Sequence, residues 1–219
     1  MNLYPAILTG SITEAQAQIK SVAPLPNIRS VQIDIIDGLF ADNVTITPAD
    51  LAEIDFGELS CDLHLMTEEP LDFVYEAIDQ KSQVPFRAMI AQVERMSRQA
   101  DFLQIVRSNT WQPGLSLNLY TPIEAVDEDS WQNIDIMQLM AIEAGFQGQQ
   151  FAATIFNKIK EVKEKVHQLG RDIELIVDGG VKPEHLAELQ TAGVDGIAVG
   201  SGLWQAKNLR ATVATYTME

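Results

Sequence analysis

Gln32, Asp34, His64 and Asp178 stand near the ends of apolar runs, in the segments Gln32-Ile33-Asp34, Asp62-Leu63-His64 and Asp178-Gly179-Gly180. Brought together, a carboxamide, two carboxylates and an imidazole can ligate a divalent metal, and the carboxylates can take a proton from a substrate and return one. A fourth segment, Gly145-Phe146-Gln147-Gly148-Gln149, offers glycine backbone whose N–H groups can approach an anion closely, and it runs straight into a long amphipathic stretch. Read alone, that segment is equally an ordinary glycine turn. Gly179-Gly180 and Gly200-Ser201, each after a later apolar run, shift the balance towards phosphate held by backbone amides, because no Arg lies near these loops.

These segments are far apart in sequence, so only a closed, strand-rich scaffold makes them one site. Apolar runs expected as strands are Leu3–Thr9, Ser30–Asp37, Leu59–Met66, Arg87–Glu94, Gly114–Leu119, Ile134–Ile142, Asp172–Asp178 and Gly196–Val199. Helical spacing lies between them, most clearly over Phe151–Leu169, where Phe151, Ile155, Ile159, Val162 and Val166 recur at three- and four-residue steps and Gly170 stops the helix. Thr47-Pro48, Thr121-Pro122 and Lys182-Pro183 each read as a helix start, with Pro at the first helical position. This alternation predicts a single-domain α/β chain, a (β/α)8 barrel over residues 1–219. A doubly wound open sheet is the competitor, and its Gly-x-Gly-x-x-Gly after the first strand is absent.

Strand alternation places Gln32, Asp34 and Ile36 on one face, and likewise Asp62, His64 and Met66, and Glu174, Ile176 and Asp178. A neutral polar group costs roughly 2–7 kcal/mol to bury unpaired, so polar residues on these faces either pair or form a site. In a barrel the site lies at the carboxyl ends of the strands, which is where Asp34, His64 and Asp178 fall. Met66 and Met140 read as core fillers able to lie under a substrate. His167, His185, Trp111, Trp131 and Trp204 read as packing or solvated residues, and Asp127-Glu128-Asp129 as a solvated helix end.

Composition limits the partners. A net charge of -16 and a pI near 4.4 exclude a nucleic-acid partner, which needs clustered Lys and Arg, and disfavour an anionic membrane surface. The one cysteine, Cys61, cannot form an internal disulfide and fits a reducing compartment. Met1 to Gly10 carries neither a basic flank nor a long apolar run, so no signal peptide or membrane span is expected, and a cytoplasmic location is.

Taken together and in order, Pro5-Ala6-Ile7-Leu8, Asp34-Ile35-Ile36-Asp37-Gly38, Asp62-Leu63-His64-Leu65-Met66, Pro113 to Asn118, Thr121-Pro122-Ile123-Glu124, Gly145 to Gln149, Val177-Asp178-Gly179-Gly180-Val181 and Gly200-Ser201 resemble the ribulose-phosphate 3-epimerase family over nearly the whole chain. The resemblance implies a (β/α)8 barrel of the ribulose-phosphate-binding type. It also implies an isomerase of the pentose-phosphate pathway that interconverts D-ribulose 5-phosphate and D-xylulose 5-phosphate through a cis-enediolate. It further implies a bound divalent ion (zinc, manganese, iron or magnesium), a small phosphorylated sugar as partner, and a homo-oligomer. Asp34 and Asp178 match the catalytic aspartates, which also hold the metal with His64 and the residue at Gln32. Gly145, Phe146, Gln147, Gly148, Gln149, Gly179, Gly180, Gly200 and Ser201 match its phosphate loops, and Ala6, Met66 and Met140 its substrate-lining positions.

The chain departs from that pattern where His is usual and Gln32 stands, and where Ser is usual and Ala6 stands. It also has Ile36 for methionine, Gln92 for histidine, Gln147 for glycine and Ala144 for proline. An amide oxygen is a weaker donor than imidazole, so weakened metal binding and activity are expected, with preference moving from zinc towards manganese or magnesium. The alternatives are an epimerase of another ketose phosphate, such as a hexulose 6-phosphate, and a phosphosugar-binding pseudoenzyme.

Overall fold

A computed structural model describes residues 1–146 and 148–217. Eight parallel strands close into a barrel in sequence order: β1 (Asn2–Ile7), β2 (Ser30–Ile36), β3 (Ser60–Met66), β4 (Phe86–Gln92), β5 (Gln112–Leu117), β6 (Ile136–Met140), β7 (Glu174–Asp178) and β8 (Gly196–Val199), with β8 pairing back onto β1. The outer layer holds α1 (Ile12–Val22), α2 (Pro70–Gln80), α3 (Gln99–Ser108), α4 (Ile155–Leu169), α5 (Leu186–Thr191), α6 (Ser201–Trp204) and α7 (Leu209–Thr217). The expected (β/α)8 architecture is therefore present. Among the described residues no helix is long and apolar enough to cross a membrane.

Two crossovers differ from the expected strand–helix alternation. The chain after β2 carries a 3-10 turn at Asp50–Glu53, and the chain after β5 carries two, at Ile123–Ala125 and Ser130–Gln132. Thr47 caps no helix because its hydroxyl donates to Glu76 Oε1 of α2 at 2.7 Å. Helix α4 starts at Ile155 rather than Phe151, because Ala152 N–H is held by Ala141 O at 2.9 Å beyond the end of β6. Phe151 instead stacks its ring on His185, 4.1 Å between centroids.

The outward faces of the strands pack on the helices through one large core that includes Ile33, Leu63, Met89, Leu115, Leu139 and Val177. The inward faces form layers. At the amino ends of the strands Asp62 is buried against Arg87, whose Nε lies 2.7 Å from Asp62 Oδ1, and Arg87 also pairs with Glu174 at 3.3 Å. The Tyr4 hydroxyl hydrogen-bonds Glu174 and its ring lies 5.0 Å from the guanidinium. Above this lies an apolar layer of Tyr4, Ala6, Ala88, Ile90, Ile136, Ile176 and Ala198. Gly114 has no room for a side chain here, since a Cβ would sit 2.9 Å from Ile90 Cγ1 and 3.1 Å from Ile136 Cβ. Asp62 and Glu174 thus share the faces predicted for them with His64 and Asp178 but sit too deep to join the site.

Candidate active site

Closing the barrel sets Asp34 beside His64 in the β2–β3 register and Met140 beside Asp178 in the β6–β7 register. Gln32, Asp34, His64 and Asp178 converge on the axis as their spacing predicted. Asp34 Oδ1 lies 3.1 Å from His64 Nδ1, and Asp178 Oδ2 lies 3.5 Å from the same nitrogen. Ligand atoms of Asp34, His64 and Asp178 all fall within 4.8 Å of one another, and all three residues are buried. Two carboxylate oxygens and an imidazole nitrogen at this separation fit a divalent ion.

Gln32 departs from its predicted role in orientation. Its amide nitrogen faces the cluster and donates to Asp34 Oδ1 at 2.9 Å and to Asp178 Oδ2 at 2.7 Å. For its oxygen to serve a metal, the carboxamide must turn over. Behind His64, Gln92 Nε2 lies 3.1 Å from His64 Nε2. An ion held on Nδ1 requires the ring proton on Nε2, and Gln92 then presents its oxygen to that nitrogen; with Nε2 unprotonated, Gln92 donates to it and Nδ1–H faces Asp34.

Burial and the neighbouring charge of Asp34 push the Asp178 carboxyl up to about 7, partly offset by His64, by the Gln32 hydrogen bond and by Gly179 N–H. Burial pulls the His64 imidazole down, but the hydrogen bond and charge of Asp34, with the charge of Asp178, carry it above its ordinary value. A carboxyl poised near neutrality exchanges a proton readily in either direction.

Over the cluster lies a cavity of about 40 Å³ lined by Ala6, Leu8, Asp34, Met66, Met140, Ile142, Gly145, Phe146, Gly148, Asp178, Gly179, Gly180, Gly200 and Ser201. The two carboxylates thus share one chamber with the three glycine loops. Gly145, Gly148, Gly179 and Gly180 have φ of 110°, 85°, 102° and 66°. At Gly145 an added Cβ would meet Ala41 Cβ at 2.4 Å, and at Gly180 it would meet Phe151 N at 2.6 Å. At Gly145 and Gly180 the loops therefore run as close to their neighbours as bare backbone allows, whereas Gly148 faces open space. Larger grooves of about 420 and 610 Å³ lie among the outer helices, away from the strand ends.

Gln149 does not line this chamber. Its carboxamide donates to Glu143 O at 2.7 Å and Phe146 O at 2.9 Å, bracing its own loop, and it borders an adjoining cavity of about 230 Å³ shared with Lys182 and Gly202. Gln147 lies outside the described residues. His167 is a surface residue of α4, as expected.

Sequence reasoning passed over Gln138 and Thr45. Gln138 Nε2 donates to Asp178 Oδ2 at 3.1 Å, and the Thr45 hydroxyl donates to Asp34 O at 2.8 Å while accepting from Ile36 N–H at 2.9 Å. Gln138 carried a signal: it is a polar residue inside an apolar strand, on the face of Met140. Thr45 carried none, because its partner is backbone eleven residues away.

The model for the ribulose-phosphate 3-epimerase family matches residues 2–204. The chain belongs to the ribulose-phosphate 3-epimerase family. Within this family of isomerases, similar proteins include the ribulose-phosphate 3-epimerase of Helicobacter pylori strain J99, 28% identical over 97% of this chain and 95% of that protein. The Bacillus subtilis strain 168 enzyme of the same name is 28% identical over 93% of this chain and 92% of its own. The Escherichia coli K12 enzyme is 32% identical over 80% and 76%. Among solved structures, a mutant tryptophan synthase α-subunit from Pyrococcus furiosus superposes with a TM-score of 0.70 at 15% identity, covering 100% of this chain and 98% of that one. The phosphoribosyl anthranilate isomerase of Thermus thermophilus gives 0.64 at 14%, covering 100% and 99%. At these identities the likeness shows the barrel alone. Membership in the epimerase family rests on the sequence match, and the Asp34–His64–Asp178 cluster is where this family member can hold an ion.

Proposed function

We propose that the chain is a metal-assisted 3-epimerase interconverting D-ribulose 5-phosphate and D-xylulose 5-phosphate, with Asp34 and Asp178 as its acid and base. The observation that carries this reading is that the two carboxylates and the three glycine loops line one chamber at the carboxyl ends of the strands. Backbone at Gly145, Gly148, Gly179, Gly180, Gly200 and Ser201 binds the phosphate end and leaves the ketose end over the carboxylates. Inverting C3 beside a ketone means removing a proton from one face and adding one to the other. One aspartate takes the C3 proton as a carboxylate, and the other, protonated, delivers its own to the opposite face of the cis-enediolate. In the reverse direction the roles exchange. In the ion-free chain burial and Asp34 raise the Asp178 carboxyl to about 7, and an ion held there would draw it down towards the carboxylate that takes the proton. Met66 and Met140 flank the carboxylates and exclude water from the carbanionic carbon.

Asp34, His64 and Asp178 would hold the ion, joined by the amide oxygen of Gln32 once that carboxamide turns. The ion would supply positive charge where the enediolate develops negative charge.

The Gln32 contacts favour a second reading. Its amide group ties the two carboxylates together with no need of an ion, which suits a phosphosugar-binding protein without turnover. Incubation with ribulose 5-phosphate in D2O, with and without manganese, zinc or iron, separates the two. Deuterium entering C3 supports the epimerase, and binding without exchange under every metal supports the second reading. Exchange restricted to a six-carbon ketose phosphate would redirect the substrate assignment.

A further inference from the structure

Beside the Asp34–His64–Asp178 cluster, on the β4–β6 side of the barrel, Gln92, Ser116 and Gln138 stand in register across the three strands. All three are fully buried. Gln92 Oε1, Ser116 Oγ and Gln138 Oε1 have no hydrogen-bond partner among the described residues. Buried polar atoms pair with protein or with ordered water, so three orphaned oxygens on adjacent strands call for a common partner. Gln138 is held by its donation to Asp178, and Gln92 keeps one end of its carboxamide on His64 Nε2, which leaves the other end facing away from the ring in either orientation.

Donor counting selects the partner. The two amide oxygens only accept, and the serine hydroxyl has one proton to give. A water molecule donates to both amide oxygens and accepts from the hydroxyl, which makes the three bonds usual for a buried water. A monovalent cation would also suit the amide oxygens but would leave the serine proton without an acceptor. Water accommodates either orientation of the Gln92 carboxamide as well, since it accepts from N–H as readily as it donates to C=O.

We propose that Gln92, Ser116 and Gln138 hold one buried water that completes a hydrogen-bonded bridge from the rear of His64 to Asp178 and fixes their relative orientation. Gln92 and Gln138 are then positioning residues acting through His64 and Asp178. Ser116 contacts neither and acts only through the water. The bridge depends neither on the sugar nor on an ion, so it stands or falls separately from the epimerase reading.

A high-resolution crystal structure of the full chain tests the site. The expected result is a single density peak within about 3 Å of all three oxygens. Oxygens paired with protein atoms, or an anomalous signal in thallium(I)-exchanged crystals marking a cation, would overturn the proposal. The positioning role is read by ¹⁵N NMR of the His64 ring at one fixed pH. Ser116→Val, with Ser116→Ala as the milder change should valine disturb folding, is expected to remove the water and shift the His64 Nε2 resonance although Ser116 does not touch the ring. An unmoved resonance would overturn the positioning role.

Discussion

Gln32 donates to Asp34 and Asp178 at 2.9 and 2.7 Å, so one neutral carboxamide holds together two buried carboxylates that repel each other. Presenting its oxygen to an ion means giving up both contacts, and that oxygen is a poorer donor than imidazole for zinc. Zinc should therefore be lost on dialysis, and elemental analysis showing near-stoichiometric zinc afterwards would contradict this. Gln32→His restores an imidazole and should tighten zinc by at least the roughly tenfold that even an outer-shell partner is worth. The same cluster sets a pH dependence. The Asp178 carboxyl is raised from 3.8 to about 7 in the folded chain, chiefly by burial and then by Asp34. Between those values the folded state binds a proton that the unfolded state has released, so Asp178 lowers stability as pH rises through that window. His64, also raised, acts in the same direction: its stabilisation is present at low pH and lost as pH passes its folded value. In chelator-treated protein, Asp178→Asn should gain Tm relative to the parent chain as pH climbs from about 5 to about 7.5. A difference that stays constant or shrinks with pH would count against the assigned shift.

In the proposed reaction, loop backbone binds the phosphate end of the sugar. At Gly180 a Cβ would meet Phe151 N at 2.6 Å, so Gly180→Ala must displace either its own loop or the approach to α4. The expected effect is a KM raised by about tenfold, roughly 1.4 kcal/mol of binding, with a smaller change in kcat, as suits contacts remote from the reacting carbon. A change confined to kcat would show that Gly180 does not serve the phosphate end. The strands were legible as apolar runs, and in β2, β3 and β7 polar residues interrupt the run at one parity, which made Asp34, His64 and Asp178 legible as interruptions near strand ends. Parity gives the face but not the depth, which is why Asp62 shared the face of His64 yet pairs with Arg87 at the other end of the barrel. Cap grammar is local, whereas the Thr47 hydroxyl was claimed by Glu76, 29 positions away. The direction in which the Gln32 carboxamide points, and the meeting of Gln138 with Asp178, depend on strands that only barrel closure makes neighbours.

The whole barrel separates stability from chemistry along its axis. At the amino ends of the strands, Arg87 neutralises the fully buried Asp62 and reaches Glu174, and it touches nothing in the site. Arg87→Met leaves Asp62 uncompensated, at a cost of about 3–5 kcal/mol. For a chain of this size that is a fall in Tm of roughly 10 °C. Turnover of the molecules still folded at lower temperature should be unaffected, and a large loss there would show that the two ends of the barrel are coupled. At the carboxyl ends the proposed reaction rests on Asp34 and Asp178 moving a proton at C3, and NMR of ribulose 5-phosphate in D2O reads that step directly. With manganese present, deuterium should enter C3 as xylulose 5-phosphate forms. Asp34→Asn and Asp178→Asn should each slow that entry by at least about 10²-fold while binding of the sugar phosphate persists. Exchange that survives in both variants, or sugar-phosphate binding with no exchange under any metal, would contradict the account.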